Sequence, residues 1–251
     1  GWVVYGPCRL AVIDLHTGAV VRTLAVCAPH DAITGLALEG SGTGPVAYLA
    51  IWSEPPPAEG HEDQPPPADG RVLAVDTATG EVAGATPLEG IPGEVVLGAS
   101  PGRVGRRLYG VVARGGADDD YRQDLTTRYA MAEEWRLVGL NAVTLEPESE
   151  QVLFYPPYGL TIAPDGNDAY AFAGAGSART GRRLMHVDLF RGDSRLLGSV
   201  PGPGLSGLVV TDAWIYVPDT AADEVAVLDR RHGRLVRAVP VGRRPLGIAA
   251  R

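Results

Sequence analysis

The 251-residue chain contains no lysine: all 22 of its basic side chains are arginine. That excludes Schiff-base chemistry through a lysine amine, and it excludes a phosphate-binding loop built on one. Asparagine is confined to Asn141 and Asn167, and methionine to Met131 and Met185. Few thermolabile side chains and abundant loop proline fit a thermostable protein, and they fit equally the bias of a GC-rich genome. Two cysteines, Cys8 and Cys27, are too few for a metal cluster. No apolar run approaches the roughly 18 residues of a membrane helix. No basic-then-apolar leader opens the chain, which starts on Gly1. The net charge of −8 argues against a nucleic-acid partner, whose phosphates demand a basic surface.

What is present is punctuation. The chain has 33 Gly and 21 Pro, with 45% apolar and 21% charged residues, an ordinary globular composition. Its apolar runs are short and β-branched, which favours many strands. A motif of apolar residue, Asp, two variable residues, a polar residue and Gly recurs at 13–18, 75–80, 187–192 and 228–233. A degenerate copy at 140–145, Leu-Asn-Ala-Val-Thr-Leu, lacks the Gly. Asx caps its own turn and Gly takes the positive φ, so each copy predicts a hairpin between strands C and D. Upstream of each lies a strand B with Tyr at its middle (Tyr48, Tyr109, Tyr170 and Tyr216), which Trp2–Tyr5 matches in character. Upstream again lies a small-residue strand A, at 35–38, 95–98, 159–162, 207–210 and 247–250. Four antiparallel strands in roughly 40 residues is the size of a propeller blade, and Asp188 and Asp229 stand 41 residues apart.

The stretch from Ala213 to Ala250, with Trp-Ile-Tyr-Val, Val-Leu-Asp-Arg-Arg-His-Gly and Val-Gly-Arg-Arg-Pro-Leu-Gly-Ile-Ala-Ala, resembles the YVTN-type β-propeller repeat. The likeness is good over 157–251, fair over 1–53 and degenerate over 90–156. Members of that family commonly carry seven blades, and the five repeats here depart from that number. The resemblance implies an all-β, five-bladed propeller in one domain. Its blades are expected at 246–251 with 1–29, then 30–90, 91–156, 157–202 and 203–245. The lone strand A at 247–250 is expected to pair with the three N-terminal strands and close the ring, leaving no exposed edge.

In a propeller the D–A and B–C loops open on one face, where binding sites sit on a rigid scaffold. Both long insertions, 52–70 and 114–134, fall in B–C loops of adjacent blades. Ordering them costs entropy, which favours a lid or binding rim over tolerated surface insertions. The first loop brackets His61 between Pro55–Pro57 and Pro65–Pro67 and reads as stiff polyproline II. In the second, Asp118–Asp120 would cap a helix from Tyr121, with Leu125 and Tyr129 following at i+4 and i+8. Packing over the blade top is its expected role. The triple Asp offers clustered carboxylates but lacks the spacing and glycine of a calcium loop, so no metal is expected.

Binding candidates are therefore Trp52, His61, Tyr121, Arg122, Tyr155, Tyr158, Arg243 and Arg244, with Ser206 also at the mouth. The expected function is non-catalytic: a binding or scaffold module for a protein or small ligand, acting as a monomer without a cofactor. The alternative is a propeller hydrolase or lyase using Asp31, Glu94 and His30, since Asp31 and Glu94 begin strand A in neighbouring blades and paired carboxylates can serve as acid and base. No nucleophile elbow, zinc-protease helix or phosphate loop occurs. Cys8 opens strand C and Cys27 closes strand D of one hairpin with matching parity. That places them within bridging reach, with two independent buried thiols as the other outcome. A bond would indicate an oxidising, extracytoplasmic location, and a bacterial source is expected.

Overall fold

The computed structural model describes residues 2–5, 8–14, 16–39, 46–53, 69–101, 105–115, 125–174, 182–200, 207–243, 245 and 248. These form five separate antiparallel sheets, each taking its strands in chain order. The first holds β1 (Trp2–Tyr5), β2 (Arg9–Ile13) and β3 (Val20–Ala25). The second holds β4 (Asp31–Glu39), β5 (Val46–Ser53), β6 (Asp69–Asp76) and β7 (Val82–Leu88). The third holds β8 (Ile91–Ala99), β9 (Arg106–Arg114), β10 (Glu134–Asn141) and β11 (Pro147–Leu153), with the short helix α1 (Leu125–Ala130) between β9 and β10. The fourth holds β12 (Pro157–Ile162), β13 (Asp168–Ala173), β14 (Arg182–Asp188) and β15 (Asp193–Val200). The fifth holds β16 (Val209–Val210), β17 (Trp214–Asp219), β18 (Glu224–Asp229) and β19 (Leu235–Pro240). Residues 246, 247, 249 and 250 of the expected closing strand lie outside the described residues. Among the described residues no helix is long and apolar enough to cross a membrane.

The repeated turn works as its composition demands. Asp14 Oδ1 accepts the backbone N–H groups of His16 and Thr17, and Asp76, Asp188 and Asp229 accept the corresponding pairs in their own turns. Gly18, Gly80, Gly192 and Gly233 follow at φ of 69°, 83°, 78° and 67°, where a Cβ would be strained. In the degenerate copy Asn141 accepts from Val143 and Thr144, and Leu145 takes the left-handed position at φ 60°. Leu145 is buried in the core between the second and third sheets. Strain of about 1–2 kcal/mol is offset by about 2 kcal/mol from burying a leucine side chain, so the repeat tolerates losing its glycine.

Strands β5, β9 and β13 are apolar through their middles, with polar residues at one or both ends, because both of their faces are covered. Ala47, Leu49 and Ile51 face the first sheet, with Leu10, Leu24 and Val26, while Tyr48 and Ala50 face the third. Tyr109, Val111 and Ala113 pack on Ala169, Ala171 and Ala173 of the fourth. Tyr170 and Phe172 pack on Ile215, Val217 and Ala226 of the fifth. Two of the mid-strand tyrosines also latch neighbouring sheets together. Tyr48 donates to the carbonyl of Ala142, 2.7 Å away in the next sheet's turn, and Tyr170 to that of Arg230 at 3.4 Å. Arg230 strengthens the second latch by bonding Asp165 at 2.7 Å and Asp168 at 2.6 Å.

Candidate functional site

The first strands of the second, third and fourth sheets lie side by side, and each breaks register near its start. Strand β4 bulges at Thr34, β8 at Gly93–Glu94 and β12 at Gly159–Leu160. Bulges of this kind re-aim side chains and disrupt pairing locally. Here they tie one sheet to the next. Thr34 Oγ1 donates to the carbonyl of Gly93 at 3.2 Å, and the Leu160 N–H donates to Glu94 Oε2 at 2.6 Å. The backbones approach so closely that a Cβ on Gly35 would sit 2.7 Å from the Val95 nitrogen. Only glycine fits there.

Where the three bulges meet, a pocket of about 350 Å³ opens. Its wall is formed by Ile33 and Thr34 of β4, Ile91 to Glu94 of β8, and Pro157 and Tyr158 of β12; Leu125 and Tyr129 of α1 cover it. A six-residue helix cannot hold itself together in water, so α1 depends on its contacts. The Tyr129 hydroxyl donates to the Pro157 carbonyl at 3.2 Å, and the Trp135 indole donates to the Tyr129 carbonyl at 3.0 Å. The Tyr129 and Tyr158 rings meet edge to face, 5.9 Å between centres. Arg128 lies 5.5 Å from the centre of the Trp52 ring, a cation–π distance.

The pocket is mostly apolar, with Glu94, Thr34 and the phenols of Tyr129 and Tyr158 as its polar side chains. Burial raises the Glu94 carboxyl above its ordinary range, and the N–H groups of Leu160 and Gly159 partly counter that by bonding its charged form. The Tyr129 hydroxyl is raised well above its ordinary value by burial first, then by Glu94 and Tyr158. Burial also raises Tyr158, against the pull of Arg182.

Solved structures of other proteins share this arrangement of sheets. The Dos1 propeller superposes with a TM-score of 0.55 at 15% identity, over 94% of this chain and 54% of that one. The WD40 domain of Neurospora crassa Pan2 gives 0.53 at 11% identity, over 95% and 61%. Kuenenia stuttgartiensis hydrazine synthase gives 0.53 at 11% identity, over 96% and 82%. The fold is a β-propeller. This chain spans little more than half the length of the Dos1 propeller, and at such identities the likeness concerns the fold alone. No protein-family model matches the chain, and no curated relative does.

On the propeller the pocket sits where the innermost strands begin, the end onto which the D–A loops open, and its cover comes from the 114–134 insertion. Of the candidates read from sequence, Glu94 and Tyr158 line it. Trp52 is buried in the core beside Tyr129, Tyr155 is exposed on the D–A loop before β12, and Arg243 is exposed. His61, Tyr121, Arg122, Arg244, Ser206 and Asp118, Asp119 and Asp120 lie outside the described residues. Helix α1 is described from Leu125, and Tyr129 occupies the covering position that its spacing implied.

Asp31 is placed differently from Glu94. Its carboxylate is fully buried and bonded by Arg71 at 2.6 Å, by the Ala28 N–H at 3.0 Å and by the Ser53 hydroxyl. His30 Nε2 approaches it at 3.6 Å from a side chain 44% exposed. Such an acid is spoken for structurally, and it is not among the pocket's lining residues. Cys8 and Cys27 form a disulfide, with Cα atoms 5.0 Å apart. Their sulfurs cluster with Asp31 within 4.8 Å, but sulfurs bonded to each other are not thiolate ligands. The wall residues Ile33, Thr34, Pro92 and Pro157 escaped the sequence reading. Nothing local marks them, although the bulge glycines Gly93 and Gly159 could have been read as sites of close backbone approach.

Proposed function

We propose that this propeller has five blades and acts as a non-catalytic binding module. In this reading it holds a small, largely apolar ligand at its axis, and the insertions 52–70 and 114–134 form the rim. The five successive sheets support the blade count. Residues 246–251 would complete the first blade with 1–29, ahead of blades at 30–90, 91–156, 157–202 and 203–245 in a single domain. The Cys8–Cys27 disulfide favours an oxidising, extracytoplasmic setting. A monomer is expected.

The pocket carries the proposal: concave, mostly apolar, with one acid and two phenols converging on it. One observation favours the enzyme reading as a second choice, since the raised carboxyl of Glu94 is of the kind that serves as a general acid. That reading lacks a partner, because Asp31 is held by Arg71 and Ser53. Ligand-observed NMR with a panel of small aromatic amines, alcohols and acids separates the two. Binding by the unmodified protein, lost in a pocket-filled Ile33→Trp variant that melts normally, is the expected outcome. Unchanged binding in that variant would remove the site from the axis. Turnover of chromogenic ester or glycoside probes that Glu94→Gln abolishes would install the enzyme reading instead.

A further inference from the structure

We propose that the axial pocket selects an organic ammonium ion carried on an apolar body. The inference rests on the binding reading above and adds the ligand's charge. Among the described residues Glu94 is the one carboxylic acid lining the pocket, and neither arginine nor histidine lines it, Arg182 acting on Tyr158 from outside the lining. Two N–H groups, of Gly159 and Leu160, occupy part of its carboxylate. A carboxylate has about four lone-pair sites, so acceptor capacity remains for a ligand.

Desolvation decides the sign. Glu94 is half-buried, with part of its side chain open to the pocket. A ligand that fills the space takes the rest of the side chain out of solvent. With a neutral ligand Glu94 must either stay charged without a counter-charge or take up a proton at pH 7, each of which costs binding free energy. An anionic ligand would add repulsion. An ammonium group replaces the lost water with a charge-assisted hydrogen bond, and the Tyr129 and Tyr158 rings, 5.9 Å apart at its border, are groups toward which cations are attracted. The aliphatic walls of Ile33, Ile91 and Leu125 would take the apolar body.

The test uses three probes of one shape: phenethylammonium, 2-phenylethanol and phenylacetate, titrated calorimetrically at pH 7 and low salt. The cation should bind at least about tenfold tighter than the alcohol, with the anion weakest. In Glu94→Gln the side-chain carbonyl can still accept the two N–H groups, and its melting temperature checks the fold. There the cation's advantage should vanish while alcohol binding persists. Equal binding of cation and alcohol by the unmodified protein overturns this proposal alone and leaves Glu94 as a clasp between sheets; that comparison needs no variant. A preference that survives Glu94→Gln also overturns it. Failure of all three probes overturns the pocket reading itself.

Discussion

Removing the Asp31 side chain separates a structural acid from a catalytic one. Its carboxylate is fully buried and gathers three segments: Ser53 at the end of β5, Arg71 in β6, and the Ala28 N–H beside the disulfide. Arg71 also reaches the Ser53 hydroxyl at 2.5 Å. Deleting one member of a buried ion pair costs about 3–5 kcal/mol because the other charge stays behind. Arg71 keeps 26% of its side chain in water, which points to the lower end, about 3 kcal/mol. For a domain of this size each kcal/mol lowers the melting temperature by about 2–4 °C. Asp31→Ala should therefore melt about 6–12 °C below the parent protein, measured by calorimetry and by urea unfolding followed through tryptophan fluorescence. Adding Arg71→Met should recover at least about 1 kcal/mol, since the two positions are coupled. Ligand binding in the proposed pocket should persist at temperatures where the variant is folded. An Asp31→Ala protein that melts within about 2 °C of its parent, well below the loss expected on that scale, would refute the structural assignment. Lost turnover with unchanged melting would make Asp31 catalytic.

Tyr48→Phe deletes a buried donor to the Ala142 carbonyl and should cost about 1 kcal/mol in urea unfolding; an unchanged midpoint would remove the latch. The Cys8–Cys27 bond closes a separation of 19 residues, so reduction should lower stability by about 3 kcal/mol on the chain-entropy account. Urea midpoints with and without dithiothreitol check this, and identical midpoints would refute that contribution. Leu145→Gly relieves about 1–2 kcal/mol of left-handed strain but empties a core position worth about 3 kcal/mol or more. The variant should be less stable, and a rise in melting temperature would reverse the explanation of the degenerate repeat. Glu94 sets a pH dependence. Its native carboxyl holds its proton to higher pH than the ordinary value of 4.5. Its contribution is therefore present below that value and lost as pH rises through the native one. Stability of Glu94→Gln relative to the parent should increase over that interval in pH-resolved thermal melts. A difference that does not vary with pH would contradict the raised carboxyl.

How much of this molecule is legible from residues follows from how locally each feature is determined. The hairpin turns are legible because Asp and Gly are demanded by the conformation of the turn itself, at Asp14–Gly18 as at Asp229–Gly233. The tyrosine strands are legible because burial on both faces imposes an apolar run on the strand itself. The pocket is not. Isoleucine, proline and leucine lie in it as they lie in any core, and what distinguishes Ile33 or Pro157 is three backbones slipping register at one place. Asp31 and Glu94 show how fine the distinction is. In sequence each is an acid at the head of a strand A. In the ladder Asp31 is the first residue of β4, opposite Ser53, whereas Glu94 lies within the bulge of β8. The counterpart of Glu94 in β4 is therefore Thr34, and both reach across to the following sheet's bulge. A displacement of three residues sends one carboxylate to Arg71 and the other to the pocket. Arg71 lies 40 residues beyond Asp31, so no local pattern could have shown which acid was already bound.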